Sequence, residues 1–81
     1  MIVNEETSVD ARFDVSGEIT PRRFTWRGSM VPVEGVGRRW KEGHERCFMV
    51  MAVGGKPFEL RLDERTLCWR VARALVPRLA V

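Results

Sequence analysis

Apolar and polar residues alternate along most of this chain, with a period of two. In "RRFTWR", Phe24 and Trp26 fall on one side and Arg23, Thr25 and Arg27 on the other. "RFDV" does the same with Phe13 and Val15. Alternation with aromatic and β-branched content predicts half-buried strands. Glycine-bearing pieces separate them: "SGE", "RGS" and "VGG" are turn signals.

The turns predict pairings. With Gly28-Ser29 as a two-residue loop, Trp26 meets Val31, Phe24 meets Val33 and Arg23 meets Glu34. A glycine opening such a loop suits its positive φ. With Gly54-Gly55 as a second loop, Met51 meets Phe58, Met49 meets Leu60 and Cys47 meets Leu62. That register places Phe48 and Val50 on the face opposite the core. A turn at "DERT" then sets Leu62 against Leu67, Leu60 against Trp69 and Glu59 against Arg70.

Other stretches are less regular. The segment 34–47 carries three glycines. It reads as a loop, or as a strand followed by a short helix near Trp40, with Trp40 anchoring it to the core. Residues 66–76 suit a strand, while Leu67, Val71 and Leu75 also have helical spacing. Pro77 limits any C-terminal helix, and the apolar end "ALVPRLAV" is expected to dock on the domain or on a partner. The fold class expected is mainly β: a small SH3-like antiparallel barrel or bent sheet of five or six strands. Residues 1–10 are expected as a flexible arm and residues 11–81 as one domain.

Composition narrows the picture. Eighty-one residues suffice for one small core. Neither a run of about 18 apolar residues nor a basic-then-apolar leader is present, so the expected location is the cytoplasm, without a membrane partner. Net charge is +3, and twelve of the fourteen cations are Arg. Guanidinium groups suit phosphates and carboxylates. Arg22, Arg23, Arg27, Arg38, Arg39 and Lys41 are therefore candidate nucleic-acid contacts, although the cations alternate with eleven acids. Phe48 and Val50 are candidates for a protein interface, dimerisation included.

Catalytic chemistry finds no foothold. Cys47 and Cys68 lie too far apart for a metal motif. The predicted register turns Cys47 inward and Cys68 outward, which argues for two free thiols. His44, in "EGHER", has Glu42 and Glu45 near in sequence and Cys47 three residues on as a nucleophile in principle, but nothing else completes a site, and it reads as a loop residue. Asp63 and Glu64 sit between Arg61 and Arg65 as a charged turn. The glycine pieces lack phosphate-loop spacing. No catalytic, cofactor-binding or metal-binding residue is expected. The partner is another protein, a second copy, or nucleic acid.

The order "RFD..G", "P..FTWRG", a valine pair, "RRW", "FELRLD" and a late "W.V" resembles a small bacterial domain of unknown function. That domain occurs as stand-alone proteins and at the C-terminal end of inducible-mutagenesis proteins related to Y-family DNA polymerases. The match runs from Arg12 to Arg73, though this chain has no tyrosine. The resemblance implies a fold and a link to DNA repair or translesion synthesis, and no catalytic residues.

Overall fold

The computed structural model describes residues 1–75. The chain folds into seven strands: β1 (Ile2–Thr7), β2 (Val9–Phe13), β3 (Ile19–Trp26), β4 (Ser29–Glu42), β5 (Glu45–Ala52), β6 (Lys56–Asp63) and β7 (Cys68–Ala74). They form one antiparallel sheet in the order β1-β7-β6-β5-β4-β3-β2. The sheet curls until its two edges, β1 and β2, belong to consecutive chain joined at Ser8. Thr25 N–H donates to the Ser8 carbonyl at 3.0 Å, and the Thr7 hydroxyl donates to the Thr25 carbonyl. The mainly-β, barrel-like expectation holds. Among the described residues no helix is long and apolar enough to cross a membrane.

The first ten residues are not an arm. β1 pairs with β7, from Ile2–Arg73 to Thr7–Trp69, and β2 pairs with β3. Val3, Glu5, Thr7 and Val9 are half-buried. Their acidic composition hid a strand whose polar side faces solvent.

The first hairpin keeps its face but shifts its turn. Phe24 opposes Val31 and Trp26 opposes Ser29, so Arg27-Gly28 is the loop. Both have positive φ, 48° and 85°, which matches a type I′ turn. Arg27 lies 4.5 Å over the Trp26 ring. The shift is even, so Phe24 and Trp26 still point inward. Both meet Phe58 edge-on, at centroid distances of 5.0 and 5.2 Å.

The second hairpin inverts the expected face of β5. Val53-Gly54-Gly55 is a three-residue loop, because Ala52 pairs with Lys56. Phe48 therefore opposes Leu60, and Val50 opposes Phe58. A one-residue slip exchanges the faces of a strand. The observed register gathers Phe48, Val50 and Ala52 with Phe58, Leu60 and Leu62 in the core. The expected one would have set Phe48 and Val50 beside Arg61 and Glu59. Cys47 now shares the outer face with Cys68. Both are free thiols, Cys47 buried and Cys68 exposed.

The third turn moves by one residue. Asp63 opposes Cys68 and Leu62 opposes Trp69, so the stretch ending at Ala74 is strand rather than helix. Asp63 Oδ1 accepts from the N–H groups of Arg65 and Thr66 at 2.8 and 3.4 Å, a local cap suited to a turn. Leu67 falls in this loop with φ of 59° and is 71% exposed. A left-handed conformation costs a leucine roughly 1–2 kcal/mol, and asparagine tolerates it better. Leu67→Asn is expected to raise stability by about 0.5–1 kcal/mol in urea denaturation. The expected tail contact lies outside the described residues beyond Leu75, whose N–H donates to the Pro57 carbonyl at 2.9 Å.

Candidate functional site

β4 changes partner along its length. Residues 29–32 pair with β3, while residues from Val33 to Glu42 pair with β5. The crossover is marked by Val53 N–H, which donates to the Pro32 carbonyl at 3.1 Å. Residues 19–22 of β3 consequently have no strand beside them on the β4 side. Irregularities cluster at this divergence. Arg22 is an extra residue opposite β2, and β4 slips register between Val33 and Gly35 and again between Val36 and Arg39. Bulges bend and twist a strand, and here they let β4 leave β3 without losing β5. The stretch 34–42 is thus strand throughout, with no helix at Trp40.

The divergence leaves a cleft of two adjoining recesses, about 290 and 370 Å³. Ile19 and Phe48 floor the first, with Glu18, Arg39, Lys41 and Arg46 around it. Thr20, Pro21, Arg22, Val33, Glu34 and Val36 line the second, which shares Arg39. Arg39 opposes Phe48 and Lys41 opposes Arg46. These cations therefore occupy core-facing positions at the open end of the curled sheet. Lys41 and Arg46 both hold Glu64 at 3.0 Å. Their hydrogen bonds, Lys41's first, keep the Glu64 carboxyl below its usual range. Arg46 also donates to the Gly17 carbonyl at 3.0 Å, fixing the β2–β3 turn. Arg39 reaches across the cleft to Glu18 at 3.7 Å and Thr20 Oγ1 at 3.5 Å.

The six cations proposed as nucleic-acid contacts occupy three places. Arg22, Arg39 and Lys41 line the cleft. Arg23 and Arg27 lie elsewhere, paired with Asp10 at 2.8 Å and Glu5 at 3.1 Å. Arg38 stands on the outer face, 4.8 Å over the Trp40 ring. Trp40 opposes Cys47 there and is not among the core residues, so it does not anchor β4 inward. Phe48 and Val50, the candidate protein interface, are 3% and 1% exposed; Val50 is sealed in the core, and Phe48 shows only the edge that floors the first recess. Arg46 was missed because the expected register turned it outward. Placing Phe48 and Val50 inward would have brought Arg46 with them.

The outer face of β5, β6 and β7 carries a second charged group. Arg61 donates to Glu59 at 2.7 Å, Glu42 at 2.6 Å and Glu45 at 3.3 Å. Arg70 grips Glu45 through two bonds of 2.9 Å and donates to Asn4 Oδ1. Arg61 and Arg70 sit directly opposite each other, a repulsive placement that these carboxylates offset. Hydrogen bonds from Arg70, and secondarily from Arg61, hold the Glu45 carboxyl below its usual value despite some burial. Burial pushes the Cys47 thiol up, which disfavours the reactive thiolate. His44 is exposed and lends only its carbonyl, to Glu64 N–H at 2.8 Å. Among the described residues no cluster of three or more His, Cys, Asp or Glu could hold a metal.

Comparison with protein-family models, with curated proteins and with solved structures finds no match to this chain.

Proposed function

We propose that the chain is a non-catalytic interaction module, a protein–protein adaptor that takes an extended segment of its partner into the cleft between β3 and β4. The observation that carries this is the parting of two strands over an apolar floor, which leaves β3 residues 19–22 without a neighbour on that side. An unpaired strand edge offers main-chain carbonyls, and N–H groups except at Pro21, to an added strand, and alternate side chains then read the floor. The resemblance to the C-terminal segment of inducible-mutagenesis proteins suggests a DNA-repair assembly as the setting.

Nucleic acid is the second reading, supported by Arg22, Arg39, Lys41 and Arg46 around the cleft. It is the weaker one. Single-strand binders stack bases on several exposed rings; here Phe24 and Phe48 are buried and Trp26 packs on Phe58, which leaves the half-buried Trp40 under Arg38 and the exposed Phe13. Random-peptide display on the immobilised chain, followed by amide-shift mapping of the selected peptides, tests the proposal. Peptides that shift amides of residues 19–22 and 33–41 are expected. Shifts confined to other surfaces would overturn it. So would a chain that selects no peptide yet binds short single-stranded DNA with steep salt dependence.

A further inference from the structure

Ile19 and Phe48 are only 6% and 3% exposed, although no strand pairs with Ile19 on its β4 side. Three cations, Arg39, Lys41 and Arg46, stand around them in the recess, with Glu18 and Trp40 completing its lining. Long charged side chains commonly lay their apolar stems over such surface. Of the three, Arg39 is the least firmly held. Lys41 and Arg46 each have a carboxylate at 3.0 Å. Arg39 has Glu18 at 3.7 Å and Thr20 at 3.5 Å, with side chains 37% and 56% exposed in its ion pair with Glu18. Such a pair contributes little. Its two contacts nonetheless tie β4 to the unpaired start of β3, across the entrance.

Resting on the strand-capture reading above, we infer that Arg39 is a latch, and that the captured segment opens it with an acidic residue two positions from its apolar anchor. The spacing follows from the sheet. Side chains on one face of a strand recur every second residue, about 6.6–6.8 Å apart. The step from Phe48 to Arg46, or from Arg39 to Lys41, is that same step on the inner face. A segment with an apolar side chain on Ile19 and Phe48 therefore brings its next inward residue to the three cations. Those three share two carboxylates, Glu18 and Glu64, so one positive charge is left over. A carboxylate from the segment replaces Glu18 on Arg39 and swings its stem off the floor.

The probes are fluorescein-labelled peptides of one extended valine–threonine sequence, with phenylalanine as anchor and glutamate, glutamine or lysine two residues from it. Anisotropy is expected to show the glutamate peptide binding about tenfold tighter than the glutamine peptide at low salt, and no binding by the lysine peptide. Arg39→Gln is expected to erase the glutamate preference. Glu18→Gln, which frees the latch, is expected to tighten the glutamate peptide a few-fold. Equal binding of the glutamate and glutamine peptides would overturn the acidic rule and leave strand capture standing. An unchanged affinity in Glu18→Gln would overturn the latch. Failure of all three peptides would overturn the inference together with the reading it rests on.

Discussion

Arg61→Met is expected to lower folding stability by about 3 kcal/mol, read from urea unfolding. Removing one partner from a buried ion pair leaves an uncompensated charge, at a cost of roughly 3–5 kcal/mol. Glu59 would be that charge. It is 4% exposed, and Arg61, its salt-bridge partner, is itself only 17% exposed. The lower end of the range applies because Glu42 is exposed and can turn to water. Arg61→Met combined with Glu59→Gln should recover most of the loss, since a neutral pair replaces a charged one. A double variant no more stable than the single one would mean that Arg61 acts through packing alone. The same network sets the acid response. Glu45 has its folded carboxyl below the ordinary value of 4.5. Its contribution is complete above that value and is lost as pH falls through the lowered folded one. Wild-type stability is therefore expected to decline below about pH 4.5.

Phe48→Ala is expected to remove a large share of the domain's stability, about 3–5 kcal/mol. That is the usual cost of deleting a buried phenylalanine side chain, and a chain of this length has a total stability of roughly 4–12 kcal/mol. Phe48 opposes Leu60 and lies 5.5 Å from the Trp69 ring, centroid to centroid. The loss should appear as a greatly reduced urea midpoint. Met51→Ala, on the exposed side of the same strand, should change stability by less than about 0.5 kcal/mol. A Phe48→Ala protein with wild-type stability would show that the strand faces the other way.

The contrast between Phe48 and Met51 shows how far local pattern reaches. In the first hairpin and at the "DERT" turn, the loop moved by one residue in a way that shifted both strands together. Phe24, Trp26, Leu60, Leu62, Trp69 and Val71 kept the faces their alternation assigned. At Gly54-Gly55 the loop gained one residue. That flipped β5 and took both candidate interface residues, Phe48 and Val50, into the core. Alternation cannot resolve this strand, because "CFMVMA" is apolar on both faces. Cross-strand bulk resolves it, by setting Phe48 and Val50 against Leu60 and Phe58 rather than against charges.

The candidate site was legible only in fragments. Arg22, Arg39 and Lys41 stood out as cations, yet the sequence also grouped them with Arg23, Arg27 and Arg38, which the fold sends elsewhere. The cleft arises from β4 exchanging β3 for β5, and a change of partner leaves no local mark in the sequence. Arg46 joins the site only through the register of β5.

The sequence by itself determined a mainly-β domain, the turns near Gly28, Gly54-Gly55 and "DERT" to within one residue and most of its inward-facing aromatics, but not the turn at Gly43-His44. Those properties follow from side-chain alternation and the φ demands of glycine, which act over a few residues. Only the tertiary structure decided that the acidic N-terminus closes the sheet, which face of β5 is buried, and where three cations meet an apolar floor. Each of those depends on pairing between segments far apart in the chain, and is settled by the register that buries the most apolar surface while pairing the buried Glu59 with Arg61.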